Sequence, residues 1–451
     1  MREHKIIVEP FELLDVLSCR GKIGEDSHGY MEIKGHIHTS KEMEYQRLLS
    51  TELWVNIKAY DENGVAEPLF TGIVTEGEIA VENGVKTLHV MIKTGSFLLD
   101  LQEHTRTFQS SKDTYASLLN TMKPGYDTIP KFIMNKGIDK KTAKFLCQYH
   151  ETDWQFARRL ASYCHTWLYP NEVGEGIKLY FGLPTGKNRG TICPTEYSIH
   201  QKNRDITYLV RMRELFHIGD KVLFKNQAML VLSRETVWEH EELYHIYELG
   251  TQEKKQESPI YNDNLIGVSM AGTVTGVKGT QVTLSLMEDE NKAASGNREF
   301  PYATVYSSPD GTGWYCMPEI GDSVRLYFPS QDEQQAYVFN SIHLTSKDSS
   351  ERTNPDYKSI MNKQGKEILL KPDAILITNN GGMSLELSDG KGISIISDKR
   401  IIIKSEESVE ITSEEGQIDI TAANRIALCQ GDTKFELSDR MTMQGAKVRL
   451  N

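Results

Sequence analysis

From Gly365 to Asn451 the chain repeats one short pattern, two or three alternating apolar residues followed by a polar turn. The pairs Ile393/Ile395, Ile401/Ile403, Val409/Ile411, Ile418/Ile420, Ile426/Leu428 and Phe435/Leu437 begin 8, 8, 9, 8 and 9 residues apart. That period is too short for a helical solenoid and reads as stacked short β-strands. Alternation gives each strand one apolar and one polar face. Ordering eight residues costs roughly 8 to 16 kcal/mol of backbone entropy. Two inward isoleucines return only about 1.5 to 3 kcal/mol each when fully buried. The balance has to come from strand hydrogen bonds and a second apolar layer, and self-association as intertwined chains supplies both. The alternative, a β-meander packed on the preceding domain, calls for more bulky residues than a segment whose only aromatic is Phe435.

The rest of the 451 residues is long enough for three or four domains with large cores. Hydrophobic content of 39% and charged content of 25% are those of a soluble globular protein. The longest apolar runs, such as Ala228 to Leu232, fall far short of a membrane span, and Met1 to Val16 lacks the apolar centre of a signal peptide. Synthesis in the cytosol is the expectation. Six scattered cysteines form no CxxC pair, so reduced thiols are expected and no disulfide framework or zinc knuckle. A net charge of −12 argues against nucleic acid or an anionic membrane as partner.

Along the chain, residues 1–105 are strand-rich. Glu82-Asn83-Gly84 between alternating apolar runs is a hairpin signal, and an antiparallel barrel or sandwich is expected. In 106–190, mixed α and β, Tyr115, Leu118, Leu119 and Met122 mark one helix face, and Thr152-Asp153-Trp154-Gln155 fits a capping box opening a second helix. Strand signals return over 191–255, which reads as a second barrel similar to the first. A polar linker, Gln252 to Ser258, leads to five strand candidates in 263–345, a number and size that suit an OB-type barrel. The linker Ser346 to Tyr357 precedes the repeats of 365–451.

Three stretches resemble one family, the VgrG-type hub and spike proteins of contractile injection systems, which include phage tails, R-type tailocins and type VI secretion. Tyr149-His150-Glu151-Thr152-Asp153-Trp154 with Phe156, Arg159-Leu160-Ala161 and Trp167-Leu168-Tyr169 resembles the family's Y-x-E-S-D-x-x-F-x-x-R-L-A helix and following strand. Leu69-Phe70-Thr71-Gly72-Ile73-Val74 is similar to the L-F-x-G-x-V strand of its first barrel. Trp314 with Met317-Pro318-Glu319-Ile320-Gly321-Asp322-Ser323-Val324 and Phe328 resembles the P-x-I-G-x-x-V signature of its spike-base OB barrel. The three occur in the family's order. The resemblance implies a mainly β, multidomain chain: a β-barrel hub with a mixed α/β insert, an OB-fold barrel and a C-terminal intertwined triple-stranded β-helix. It implies a non-enzymatic homotrimer, without cofactor, that joins tail tube and baseplate proteins and punctures a target envelope. A PAAR-type tip protein or an effector would be a further partner, and the assembled particle would act outside the cell. Ile393, Ile395, Ile401, Ile403, Val409, Ile411, Ile418 and Ile420 would line the trimer core; Trp314, Pro318, Gly321 and Val324 would be structural in the OB barrel. No lysozyme-like insert fits between Ile342 and Gly365, so a compact phage-tail or tailocin-like spike is the nearer match.

Other readings compete. A basic groove on the OB barrel would bind single strands, yet Asp263 to Leu344 holds ten acidic residues against four basic ones. His36 and His38 at i, i+2 could share a strand face and ligate a metal, but no third ligand is evident. Cys164-His165 could pair a thiol with a base, although adjacent helix residues do not face each other. Glu288-Asp289-Glu290 could hold a hard cation or act on a glycosidic bond; a solvated loop is the expectation. No histidine follows His343, which argues against a tip metal supplied by this chain. The competing functions are a tail-associated carbohydrate-active enzyme and a receptor-binding adhesin.

Overall fold

The computed structural model describes residues 6–60, 64–110, 112–134, 141–142, 144–202, 205–256, 258–292, 298–342 and 354–437. The chain divides into two compact units, Met1–Leu344 and Thr345–Asn451. It is mainly β, with three α-helices among the described residues, Glu42–Leu49, Tyr115–Met122 and Asp153–Tyr163.

In the first unit the two strand-rich stretches share one 12-stranded sheet. One half places Trp54–Tyr60, Ala66–Glu82, Val85–Lys93, Tyr30–Ile37 and Leu13–Ile23 side by side in that order. The other half repeats the order with Lys221–Phe224, Gln227–Glu239, Glu242–Gly250, Asp205–Met212 and Glu196–Lys202. The repetition reaches single residues. The hairpin pairs from Ile73·Lys93 to Glu82·Val85 in one half and from Leu230·Gly250 to Glu239·Glu242 in the other. Both hairpins shift register at the same place, between Val74 and Glu76 and between Val231 and Ser233. Each closes on two residues at positive φ, Asn83-Gly84 and His240-Glu241, the backbone a two-residue hairpin needs to follow the strand twist. Buried side chains alternate alike, Leu88, Val90 and Ile92 in one half and His245, Tyr247 and Leu249 in the other. The halves meet where Leu13–Ile23 pairs antiparallel with Gln227–Glu239, from Ile23·Arg234 to Arg20·Val237.

Between the halves lies the mixed segment. Its core gathers Leu118, Leu119 and Met122 of one helix and Phe156, Ala157 and Leu160 of the next, with Phe108 and Phe181. The second of these helices is capped as its sequence predicts. Thr152 Oγ1 accepts from the Gln155 amide and Gln155 Oε1 from the Thr152 amide, both at 3.1 Å. Next comes a five-stranded sheet in the order Glu299–Pro301, Gln281–Leu286, Ser269–Lys278, Ser323–Tyr327, Tyr337–Ser341. Val324, Leu326 and Phe328 enter its core in strict alternation, together with Val274, Leu284 and, from outside the sheet, Phe145.

The second unit is a five-stranded antiparallel meander, Lys358–Met361, Glu367–Lys371, Ala374–Thr378, Met383–Ser388 and Gly392–Ser397, followed by a hairpin of Ile426–Gln430 with Thr433–Leu437. Residues 398–425 between them form no ladder with the described chain. Tight reversals, with Gly382 and Gly392 at φ 100° and 80°, let consecutive repeats of the meander pair within one chain.

Candidate functional site

Register turns the meander into a two-faced object. Ile360, Ile368, Ile377, Leu385 and Ile395 stand opposite one another across its five strands. Leu370, Ile375, Leu387 and Ile393 form a second row on the same face. The opposite face carries Glu367, Thr378, Ser384, Glu386 and Ser394, with Leu369, Leu376 and Ile396 among them. Eight of the nine residues in the two apolar rows are at least 40% exposed, and Leu385 is half-buried. Ala374 is the single buried residue described in this unit. A sheet of this size ordinarily covers its apolar face, and an uncovered patch marks an interaction surface. Beyond the meander Ile401, Ile403, Val409, Ile411, Ile418 and Ile420 are all exposed by half or more.

The OB-motif residues sit in different surroundings. Val324 is fully buried and pairs with Gly272; Pro318 is buried; Gly321 lies at φ 99° and donates its amide to the Val274 carbonyl at 2.9 Å. Trp314 is 60% exposed, held in a surface hairpin by its amide on the Tyr306 carbonyl.

In the carboxylate run 288–290, Glu288 and Glu290 are exposed as a solvated loop would have them, but Asp289 is not. Asp289 is buried and accepts from both the amide and the hydroxyl of Thr107, while Glu290 accepts from the Thr105 amide and pairs with His104, each at 2.9 Å. These carboxylates clasp the OB-type sheet to the strand Glu103–Phe108. A second clasp centres on Arg159, wholly buried, whose guanidinium meets Glu151, the Cys147 carbonyl and Glu333 from a turn of the OB-type sheet. His36 and His38 do not share a face, because the strand ends at Ile37 and His38 caps the short turn that follows. Cys164 and His165 lie just past the helix, not in it, and His165 reaches the Gln256 carbonyl at 3.4 Å. The expected linker is anchored. Lys254 bonds both Glu25 and Glu248 at 2.6 Å. Among the described residues no group of three or more His, Cys, Asp and Glu is placed to hold a metal ion.

A further polar cluster, missed in sequence, ties the two sheet halves to the mixed segment. Buried Arg234 donates to the carbonyls of Phe216 and Leu69 at 3.0 Å and pairs with Glu172 at 2.7 Å; Glu172 also accepts from His217 and the Ile218 amide. Burial pushes the Glu172 carboxyl up, but Arg234, His217 and the amide outweigh it and hold the group below its usual range. His245, bonded to Thr236 at 3.0 Å, is held well below 6.5 by burial first and by the nearby Arg234 guanidinium second. A histidine with a depressed folded pKa stays neutral while the unfolded chain takes up a proton, so stability falls as pH drops through about 6.5. The expected slope from this group is about 1.4 kcal/mol per pH unit below that point. Urea midpoints between pH 7.5 and 5 check it, and His245→Gln should flatten the profile there.

No protein-family model matches the chain, and no curated protein does. Solved structures do match in fold. One is the E. coli c3393 protein, a type VI secretion component described as similar to the T4 bacteriophage tail proteins gp27 and gp5. It is 12% identical with a TM-score of 0.54, over 75% of this chain and all of that one. Another is a chain of the lidded Francisella PdpA-VgrG complex, 9% identical with a TM-score of 0.58, over 88% of this chain and 81% of that one. The half-lidded form gives 10% and 0.57 over 86% and 87%. No described helix is long and apolar enough to cross a membrane. The chain has the multidomain, mainly β fold of VgrG-type hub and spike proteins.

Proposed function

We propose that the chain is a structural hub and spike of a contractile injection apparatus, working as a homotrimer. The observation that carries this reading is the bare apolar face of residues 358–397, continued by the unpaired repeats to residue 420. Three copies meeting on that face would bury Ile393, Ile395, Ile401, Ile403, Val409, Ile411, Ile418 and Ile420 along one axis and give residues 398–425 the strand partners that the described residues of their own chain do not supply. The fold likeness to c3393 and to the PdpA-VgrG chain supports the setting. In it the 12-stranded sheet forms the hub that seats a tail tube on a baseplate, the OB-type sheet a collar, and the C-terminal repeats the part driven through a target envelope. The work is mechanical. A closed assembly of strands without free edges resists unfolding under axial load. A PAAR-type tip protein or an effector at the distal end would be a partner of the same assembly.

A carbohydrate-active enzyme would need carboxylates free to reach substrate, whereas Asp289 and Glu290 are engaged with the strand Glu103–Phe108. Light scattering on the purified full chain tests the proposal. A mass three times the 51.2 kDa protomer is expected, and a monomer at micromolar concentration would overturn it.

A further inference from the structure

The two halves of the 12-stranded sheet share a register, so a position in one can be compared with its counterpart in the other. Carried through the ladders, Tyr197, Tyr208 and Phe224 stand where the first half has Cys19, Met31 and Ile57. The first-half trio is ordinary core, each residue no more than 2% exposed. The second-half trio is aromatic and opens to solvent: Phe224 is buried, Tyr208 half-buried and Tyr197 45% exposed. The scaffold does not require rings at these positions, since its other half closes on sulfur and aliphatic side chains.

The three rings are steeply inclined to one another. Tyr197 and Phe224 have centroids 5.4 Å apart at 77°, Tyr208 and Phe224 5.4 Å at 83°, and Tyr197 and Tyr208 6.4 Å at 54°. All three faces border one recess, and an ammonium fills it: Lys225 Nζ lies 4.2 Å from the Tyr197 centroid, 5.5 Å from that of Tyr208 and 5.7 Å from that of Phe224. Among the described residues no carboxylate pairs with this lysine. It belongs to the exposed two-residue turn that joins Lys221–Phe224 to Gln227–Glu239, at φ 53°, a conformation suited to Asn or Gly. Turn geometry does not select a lysine here; the rings account for it.

We propose that Tyr197, Tyr208 and Phe224 form a binding site for an organic cation of the quaternary ammonium class, with Lys225 as its resident plug. Ring faces carry negative potential and attract cations, and aromatic cages are a recurrent way of holding quaternary ammonium groups. A lysine ammonium is compact and strongly hydrated, so it gives up water to sit among rings. A quaternary ammonium has no N–H to hydrate and meets the rings through its methyl groups, which lets it displace the lysine. Lys225 can swing out on its flexible stem from an exposed turn without moving a strand. The chain's net charge of −12 adds a long-range preference for cations over anions. The site is separate from the C-terminal repeats and does not depend on the assembly proposed above.

Equilibrium dialysis of labelled choline against the full chain tests the site. Lys225→Asn, which removes the plug and suits the turn, is expected to bind choline about tenfold more tightly than the unsubstituted chain. Adding Tyr197→Ala should abolish that gain, whereas adding Tyr197→Phe should keep it, because the ring and not the hydroxyl meets the cation. In the unsubstituted chain choline should speed acetylation of Lys225, read by mass spectrometry, as the ammonium is displaced into water. Sedimentation with phosphatidylcholine or phosphatidylglycerol vesicles separates the two sources of such a group: Lys225→Asn carried down by the first alone marks a lipid head group, and choline binding without sedimentation marks a free small cation. A folded Lys225→Asn chain that takes up no more choline than its Tyr197→Ala derivative would overturn the proposal. An acetylation rate at Lys225 that choline leaves unchanged would overturn it as well, and that measurement needs no variant to fold.

Discussion

Arg159→Met is expected to destabilise the first unit by about 3 to 5 kcal/mol, the range for removing one partner from a buried ion pair. The arginine is fully buried and holds two glutamates, donating from Nε and Nη2 to Glu151 at 3.0 and 2.8 Å and from Nη1 to Glu333. It also donates to the Cys147 carbonyl at 2.9 Å and to the Tyr163 hydroxyl at 3.3 Å, and its Cζ lies 5.0 Å from the Phe156 ring centre. Methionine keeps the packing on Phe156 and leaves two carboxylates buried side by side. Burial already pushes Glu151 up despite the arginine, and losing that cation removes the largest influence opposing the rise. Domain stabilities are about 5 to 15 kcal/mol, so the change is a large share of the total. Since Glu333 belongs to the OB-type sheet and Glu151 to the strand Leu146–Thr152, the loss should appear as undocking of that sheet. Thermal unfolding is expected to split into two transitions, and Glu333→Gln added to Arg159→Met should recover part of the loss. A single transition with a loss under about 1 kcal/mol would mean the clasp is not what joins the two parts.

That clasp shows where the sequence stops being informative. The helix Asp153–Tyr163 is legible because its signals are local: a cap at Thr152, its reciprocal partner three residues on, and an apolar stripe behind them. The hairpin at Asn83-Gly84 and the alternation of Val324, Leu326 and Phe328 are local in the same sense. Arg159 and Glu151 can be suspected as a pair for that reason, but Glu333 lies 174 residues away from Arg159 and no pattern near it announces the contact. Asp289 is hidden in the same way, since an acidic loop reads as solvated until the strand carrying Thr107 is placed beside it. The helix Glu42–Leu49 goes unread because it is only eight residues long, so its stripe of Tyr45, Leu48 and Leu49 is too short to stand out among the flanking strands. The similarity of the two sheet halves is expected in outline, but its detail is invisible as identity. Leu88 corresponds to His245 and Val90 to Tyr247, so what is kept is register, bulge and burial parity while residue types drift. At the C-terminal end the period announces strands and their apolar face; the intrachain pairing of 358–397 depends on turn geometry that a period does not specify.

Ile403→Asp is expected to abolish the oligomer made by the C-terminal repeats while leaving the first unit folded. Ile403 is 72% exposed on the single chain, so the carboxylate costs the isolated protomer little. In an assembly that shelters the repeats the same group is buried without a partner, and symmetry brings its copies together. An unpaired buried polar group costs about 3 kcal/mol, and three copies therefore weaken a trimer by roughly a millionfold in its dissociation constant. Covering nine apolar residues that are about half exposed returns on the order of 10 kcal/mol per chain, against an association cost of about 4 to 15 kcal/mol. The surplus is small enough for one charge to reverse it. Ser394→Asp, on the polar face of the meander, is the matched control and should leave the mass unchanged. Light scattering reads the mass of each variant, and His245-dependent urea unfolding reads the first unit separately. A trimer of unaltered mass for Ile403→Asp would show that the apolar repeats face something other than their own copies.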